Sequence, residues 1–324
     1  MIEKWLEKAN KIAIAGHMHP DGDCVGSCMG LYLYLQENYQ NLQVDVYLEE
    51  IPETFHFIQR TKDIKHSIKE ENVYDVFFAL DCGNIERLGF VKEGFLSAKK
   101  TVCIDHHISN TGYAMENYIY PEASSTSELV YNLLEETKIS KAVAECLYLG
   151  IVHDTGVFQY TATKPTTLRC AAVLMEKGVH TSEIIQKTFY EKTYNQQRLL
   201  GYALVNSELY ADNRCIVTTL SWEDMQAFEA TANDTEGIAS ILRNTTGTKV
   251  AVFIYELRLE EEGVGEFKIS LRANEKIDVN KVATHFGGGG HKKAAGFTQC
   301  GNLSDVVRDV VAQIKLQLNE EVSA

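Results

Sequence analysis

Thr101-Val-Cys-Ile-Asp105-His106-His107 reads as a short buried strand that ends on an acid and two imidazoles. Open α/β sheets place their chemistry at the carboxyl ends of their strands. Alone the tripeptide carries little, because charged residues often close strands. The chain repeats the pattern. Lys11-Ile-Ala-Ile-Ala15 runs into Gly16-His17-Met18-His19-Pro20-Asp21-Gly22-Asp23, ahead of an apolar helix reaching about Tyr39. The apolar run 73–80 stops at Asp81, and a helix across 140–152 stops at His153-Asp154-Thr155-Gly156. A further strand alternates over 42–48, and helices are expected near 53–60 and 84–98. Strands alternating with helices predict a doubly wound, mainly parallel sheet.

The length of 324 residues predicts two domains. The first spans 1–189 and a linker helix covers 190–208. The second, smaller α/β domain spans 209–324, with a mixed sheet from strands within 209–220, 249–259 and 265–273 and a turn at 260–263. A net charge of −14 excludes a broad, non-specific nucleic-acid surface, which is basic. The eight cysteines form no CxxC pair and no zinc spacing, so buried thiols in a reducing compartment are expected. Neither a signal peptide nor a membrane-length apolar run is legible, so a cytoplasmic protein without a membrane partner is expected.

His17, Asp21, Asp23, Asp81, His106 and Asp154 come from four separated places, and a doubly wound fold can bring them to one sheet edge. Carboxylates meeting there without cations would repel and raise one another's pKa values. Two histidines and four carboxylates suit Mn²⁺, with Mg²⁺, Co²⁺ or Fe²⁺ left open. Ordinary roles compete. Asp23 fits a helix N-cap and Asp81 a solvated strand end. Asp154 opposes the dipole at a helix C-terminus and needs a nearby cation. Far downstream, Gly287–Gly290 precede His291-Lys292-Lys293. Such a run exposes backbone N–H groups to an anion, and a helix is expected after it. A flexible linker is the weaker reading, because basic and small residues follow at once.

These segments resemble the successive motifs of the DHH phosphoesterase superfamily. The matching stretches are His17-x-x-Pro-Asp21-Gly-Asp23, Asp81, Asp105-His106-His107-x-x-Asn110 and Asp154-Thr-Gly-x-Phe158. Ser270-Leu-Arg272, Asp278-Val-Asn280 and Gly287-Gly-Gly-Gly-His291 resemble its associated C-terminal domain. The order is right over nearly the whole chain, and the likeness is to stand-alone, NrnA-type nanoRNases or pAp phosphatases. The resemblance implies two Mn²⁺ ions. His17 and Asp21 would hold one; Asp23, His106 and Asp154 would hold the other, with Asp81 bridging. It implies that Asp105 orients the histidines and His107 polarises the scissile phosphate. Arg272, Gly288, Gly289, Gly290, His291 and Asn110 would bind substrate. His19 departs from the family's commoner Asn. The activity implied is hydrolysis of short RNA or DNA oligonucleotides to nucleoside monophosphates, or of pAp to AMP and phosphate, by two-metal activated water. Linear or cyclic dinucleotides (pGpG, pApA, c-di-AMP) are the alternative, inorganic pyrophosphate a different class, and a non-catalytic nucleotide-binding protein a third. A homodimer is compatible with all of these.

Overall fold

The computed structural model describes residues 2–69, 72–259, 265–274 and 277–323. The turn expected at 260–263 lies outside the described residues. The chain divides into two compact units, Met1–Glu191 and Lys192–Ala324.

The first unit is built on five parallel strands in the order β2-β1-β3-β4-β5. They are β1 (Lys11–Ala15), β2 (Gln43–Tyr47), β3 (Val76–Leu80), β4 (Thr101–Asp105) and β5 (Glu116–Ile119). β3 and β4 are buried throughout, which is why they read as continuous apolar runs. β5 was not legible: its half-exposed Glu-Asn-Tyr-Ile has neither a run nor a clean alternation. Strand order reverses at β1, which lies between β2 and β3. The crevice outside the carboxyl ends of β1 and β3 is therefore the expected place for a ligand.

Three helices shape that crevice: α1 (Gly22–Asn38), α2 (Thr126–Leu133) and α3 (Lys141–Asp154). α1 is buried from Gly22 to Leu35, so it is apolar all round rather than on one face. Its close packing on α3 depends on missing side chains. A methyl added at Gly26 would lie 2.5 Å from Cys146 O and 2.8 Å from Gly150 N. Gly26 and Gly150 thus let two backbones approach, and the carboxylates at the neighbouring helix ends come with them.

The second unit carries a mixed six-stranded sheet, β10-β11-β9-β8-β7-β6. Its strands are β6 (Glu208–Tyr210), β7 (Cys215–Leu220), β8 (Val250–Leu259), β9 (Gly265–Ala273), β10 (Gly289–His291) and β11 (Ala294–Gly301). β7 and β8 are parallel, and the other pairs are antiparallel. One face packs Val252, Ile254, Ile269 and Leu271 under the C-terminal helices. The other packs Ala251 and Phe253 under Leu199, Ala203 and Leu242. Leu199 and Ala203 sit on the helix Tyr194–Val205, inside the stretch expected as a linker, so that helix is part of the second unit's core. The linker helix expected over 190–208 starts only at Tyr194, after a π-turn at Gln186–Tyr190 and the Thr193 cap.

The helix expected after the glycine run is absent. Gly289–His291 and Ala294–Gly301 form an antiparallel hairpin instead. Small residues carry no periodicity, so Ala294-Ala295-Gly296 fits a strand as readily as a helix.

Candidate metal and phosphate site

Asp81 leaves β3 with a left-handed backbone (φ 53°), an uncommon conformation for a residue with a side chain. Its two oxygens face different partners. Oδ2 lies 3.5 Å from His17 Nε2, and Oδ1 lies 3.6 Å from His106 Nε2. Around it stand three groups whose ligand atoms lie within 4.8 Å of one another: His17 with Asp21 and Asp81, Asp23 with His106 and Asp154, and Asp81 with His106 and His107.

Each member is held by local structure. Asp21, not Asp23, is the N-cap of α1: its Oδ1 accepts from Asp23 N and Cys24 N, each at 3.1 Å. That corrects the expectation for Asp23, which has a different partner. Asp23 is fully buried and accepts from Thr126 N (2.6 Å) and Ser127 N (2.9 Å) at the start of α2. The amide groups and dipole of a helix N-terminus favour a negative charge there. Thr126 Oγ1 also donates to Asp81 Oδ1 at 3.1 Å. The Ser-rich stretch 124–127 therefore props two carboxylates, a role sequence reading missed. Asp154 ends α3 and meets His106 Nε2 at 2.9 Å, the positive partner its position required.

His17 is buried, and its Nδ1 stands 2.8 Å from Met18 O and 3.0 Å from Arg87 Nη2. A cation on Nε2 requires the tautomer with hydrogen on Nδ1, and Met18 O accepts from that tautomer. Arg87 sits beside the same nitrogen and was also missed. It lies in an irregular 3-10 segment without hydrophobic period, so only its place in space marks it.

Asp105 is fully buried between two donors, His107 Nδ1 at 2.7 Å and Asn110 Nδ2 at 2.6 Å. Asp105 thus fixes the half-buried ring of His107 through Nδ1. Asn110, expected to touch substrate, is buried, and its amide also donates to Cys82 O at 3.2 Å. Its side-chain nitrogen is thus engaged with Asp105 and the backbone. His19 is exposed beside Glu49. Cys24 is buried with its Sγ 3.9 Å from His17 O, as a packing residue would be.

The electrostatics describe a centre short of positive charge. Burial alone would lower the pKa of His17, yet Asp21 and Asp81 push it up to about 11. Burial likewise works against His106, which Asp154, Asp23 and Asp81 push up to about 10. Burial holds Asp23 well above the usual carboxylate range, and Asp81 and Asp154 add to it. His107 is raised, chiefly by its hydrogen bond to Asp105. Carboxylates that draw protons onto neighbouring imidazoles fit divalent ions, which supply the charge instead. His17, Asp21, Asp23, Asp81, His106 and Asp154 form a donor set of imidazole nitrogen and carboxylate oxygen suited to hard or borderline ions.

In the second unit, strand pairing sets Arg272 opposite Ala294, and Ala294 opposite His291. Directly paired residues share a face, so Arg272 and His291 flank one alanine. The adjoining row is Ser270, Gly296 and Gly289. The three candidate glycines are not equivalent. A methyl at Gly288 would collide with Gly296 O and Phe297, and one at Gly290 would lie 2.5 Å from Ala294 O. These two are demanded by the hairpin. A methyl added at Gly289 would meet nothing nearer than Asn280 Oδ1 at 4.0 Å, so the space on that side of its backbone is open. Arg272 and Ser270 also line a cavity of about 300 Å³ with Asn233, Glu236 and Ser240.

Known proteins share this chain's sequence and fold. The model of the DHH family, N-terminal domain, matches residues 11–151, and that of the DHHA1 domain matches 212–320. The chain is 29% identical to the bifunctional oligoribonuclease and PAP phosphatase NrnA of Thermus thermophilus, over 95% of this chain and 90% of that protein. It is 28% identical to the Bacillus subtilis protein of the same name, over 88% of each. The crystal structure of an exopolyphosphatase-related protein from Bacteroides fragilis matches with a TM-score of 0.86 at 29% identity. It covers 98% of this chain and 96% of that one. Among the described residues, no helix is long and apolar enough to cross a membrane.

Proposed function

The chain belongs to the DHH family and carries a DHHA1 domain, and from that premise we propose that it is a metal-dependent phosphoesterase of short oligoribonucleotides and of pAp. The observation that carries the reading is Asp81, whose two oxygens face His17 on one side and His106 on the other. Such a carboxylate suits a pair of cations, with Mn²⁺ the best match to the donor set. When bound, divalent ions would act as Lewis acids on the phosphoryl group and supply water at a lowered pKa.

The protein's own residues do the rest. Two backbone N–H groups at a helix N-terminus fix the orientation of the Asp23 carboxylate, and a bound cation would hold its charge there. Asp105 fixes the ring of His107 through Nδ1, so Nε2 can donate to a phosphoryl oxygen as charge develops there. Arg272 and the open backbone of Gly289, with His291 on the same face, bind a second phosphate of the substrate. An arginine offers two parallel donors to such a group. A grip on one terminal phosphate favours short substrates, and an acidic chain gains little from long nucleic acid.

The test is a panel of RNA 2-mers and 5-mers, pAp, linear and cyclic dinucleotides and pyrophosphate, each assayed with Mn²⁺. Turnover of the short RNAs and pAp is expected. Exclusive turnover of pyrophosphate, or none with any ester, would overturn the reading.

A further inference from the structure

The backbone just past Asp154 is strained. Gly156, Val157 and Phe158 run consecutively through left-handed space, with φ of 54°, 56° and 64°. For a β-branched residue such as Val157 this is an outlier, and such strain persists where surrounding structure imposes it. Here hydrogen bonds impose it. Val157 N donates to Val152 O at 2.9 Å, Phe158 N to the buried Thr155 Oγ1 at 3.1 Å, and Tyr160 N to Thr155 O at 2.9 Å.

The turn sends two aromatic residues in opposite directions. Phe158 packs inward, its ring 6.2 Å from that of Tyr148. Tyr160 is turned out and is 60% exposed. Its ring is nonetheless placed, because it lies over Gly156, where an added methyl would fall 2.6 and 2.7 Å from two ring carbons. Among the described residues, its hydroxyl has no hydrogen-bond partner. An exposed ring seated on a glycine, at the end of the helix that delivers Asp154, has the features of a stacking surface.

We propose that Tyr160 is the platform on which a nucleobase of the substrate stacks. The proposal rests on the phosphoesterase reading above and adds what that reading lacks, a group that recognises the base. A chain of net charge −14 offers anionic nucleotides little general attraction, and stacking needs none. The interaction is tolerant of base identity, because every base has a π-face. Tyrosine suits the role, since it gives a large contact at low entropy cost.

The experiment compares wild type, Tyr160→Phe and Tyr160→Ala on two matched probes. These are pAp and the same bisphosphate built on an abasic ribose analogue, with kcat and KM measured for each. Calorimetric titration with AMP and with ribose 5-phosphate gives a readout independent of turnover. Tyr160→Ala is expected to weaken AMP binding and raise KM for pAp by about 5- to 150-fold, the span of one base–aromatic stack. The base-free probes should be unchanged, and Tyr160→Phe should behave as wild type. Equal losses on both probes would make Tyr160 a support of the metal centre and overturn the proposal. So would unchanged AMP binding in Tyr160→Ala. A wild type inactive on every phosphate ester would instead overturn the reading beneath it, and the two failures are distinct.

Discussion

Replacing Asp105 with asparagine removes one charge and almost no volume from the support of His107. In the wild type the buried carboxylate accepts from His107 Nδ1 at 2.7 Å and from Asn110 Nδ2 at 2.6 Å. An asparagine can accept on one side only, so its NH₂ must face either the histidine N–H or the Asn110 amide. One charge-assisted hydrogen bond is lost and one buried donor is left unpaired. Hydrogen bonds to charged groups contribute about 1.5–3 kcal/mol, so stability should fall by about that much. If the same energy orients His107 in the transition state, kcat falls about 10- to 150-fold while KM changes little. The pH dependence has a definite sign. Asp105 raises the pKa of His107, so the ring keeps its proton to higher pH than a free histidine. Activity that needs the protonated ring falls as pH rises through that value, and in Asp105→Asn the fall moves to lower pH. Stability follows from both partners. Burial opposes the charge of Asp105, but His107 and Asn110 hold its pKa below the ordinary 3.8, so its contribution is present above that value and lost in acid. The raised His107 contributes fully below its ordinary 6.5 and loses this as pH rises through the folded value. The mutational cost is therefore largest between roughly pH 4 and 6.5 and shrinks on either side. Urea unfolding across pH, beside kcat profiles, checks both. A variant with wild-type kcat, stability and pH profile would refute the role given to Asp105.

Other consequences are simpler to state. Arg272→Ala should raise KM for pAp and 5-mer RNA about 10- to 100-fold, as loss of a charged contact does, yet change hydrolysis of bis-p-nitrophenyl phosphate much less. An equal loss on both substrates would move Arg272 out of the substrate grip. Gly150→Ala should place a methyl 2.6 Å from Asp23 Oδ1 and against Ser127, costing about 1–3 kcal/mol by overpacking. Its thermal unfolding and bound metal should both fall, and a stable variant with full metal would contradict the packing argument. Metal uptake should also release protons, because His17 and His106 hold theirs to about pH 11 and 10 in the metal-free protein. Calorimetry near pH 7.5 in buffers of differing ionisation enthalpy should find at least about two protons displaced, with Asp23 able to add to them. Binding without proton release would mean that these imidazoles are not ligands.

The parts of the site legible in the sequence were those that end a regular element. His17, Asp81 and Asp105 close buried strands, and a run that stops on a charge is visible in one dimension. Their neighbours across space were not. The contact between Asp23 and the start of α2 joins residues 103 and 104 positions apart, and nothing local in Ser125-Thr126-Ser127 distinguishes it from an ordinary cap. Arg87 lies in a segment without period. Asn110 was placed with the substrate on the family resemblance alone, and its hydrogen bond to the buried Asp105 became visible only in space. In the second unit, the alternating strands β8 and β9 were readable, whereas the glycine hairpin was not. Its sequence lacks the side chains that would show a period, and the same lack leaves Gly289 open.

The claim on which the account depends is that Asp81 joins two cation sites. Metal analysis of protein equilibrated with Mn²⁺ and freed of excess ion, in wild type and Asp81→Ala, tests it most directly. Wild type should retain about two ions per chain, as a carboxylate-bridged pair requires, and the variant fewer, with activity abolished and the fold intact by circular dichroism. Equal metal content in the two proteins, or turnover at the wild-type rate in Asp81→Ala, would contradict it.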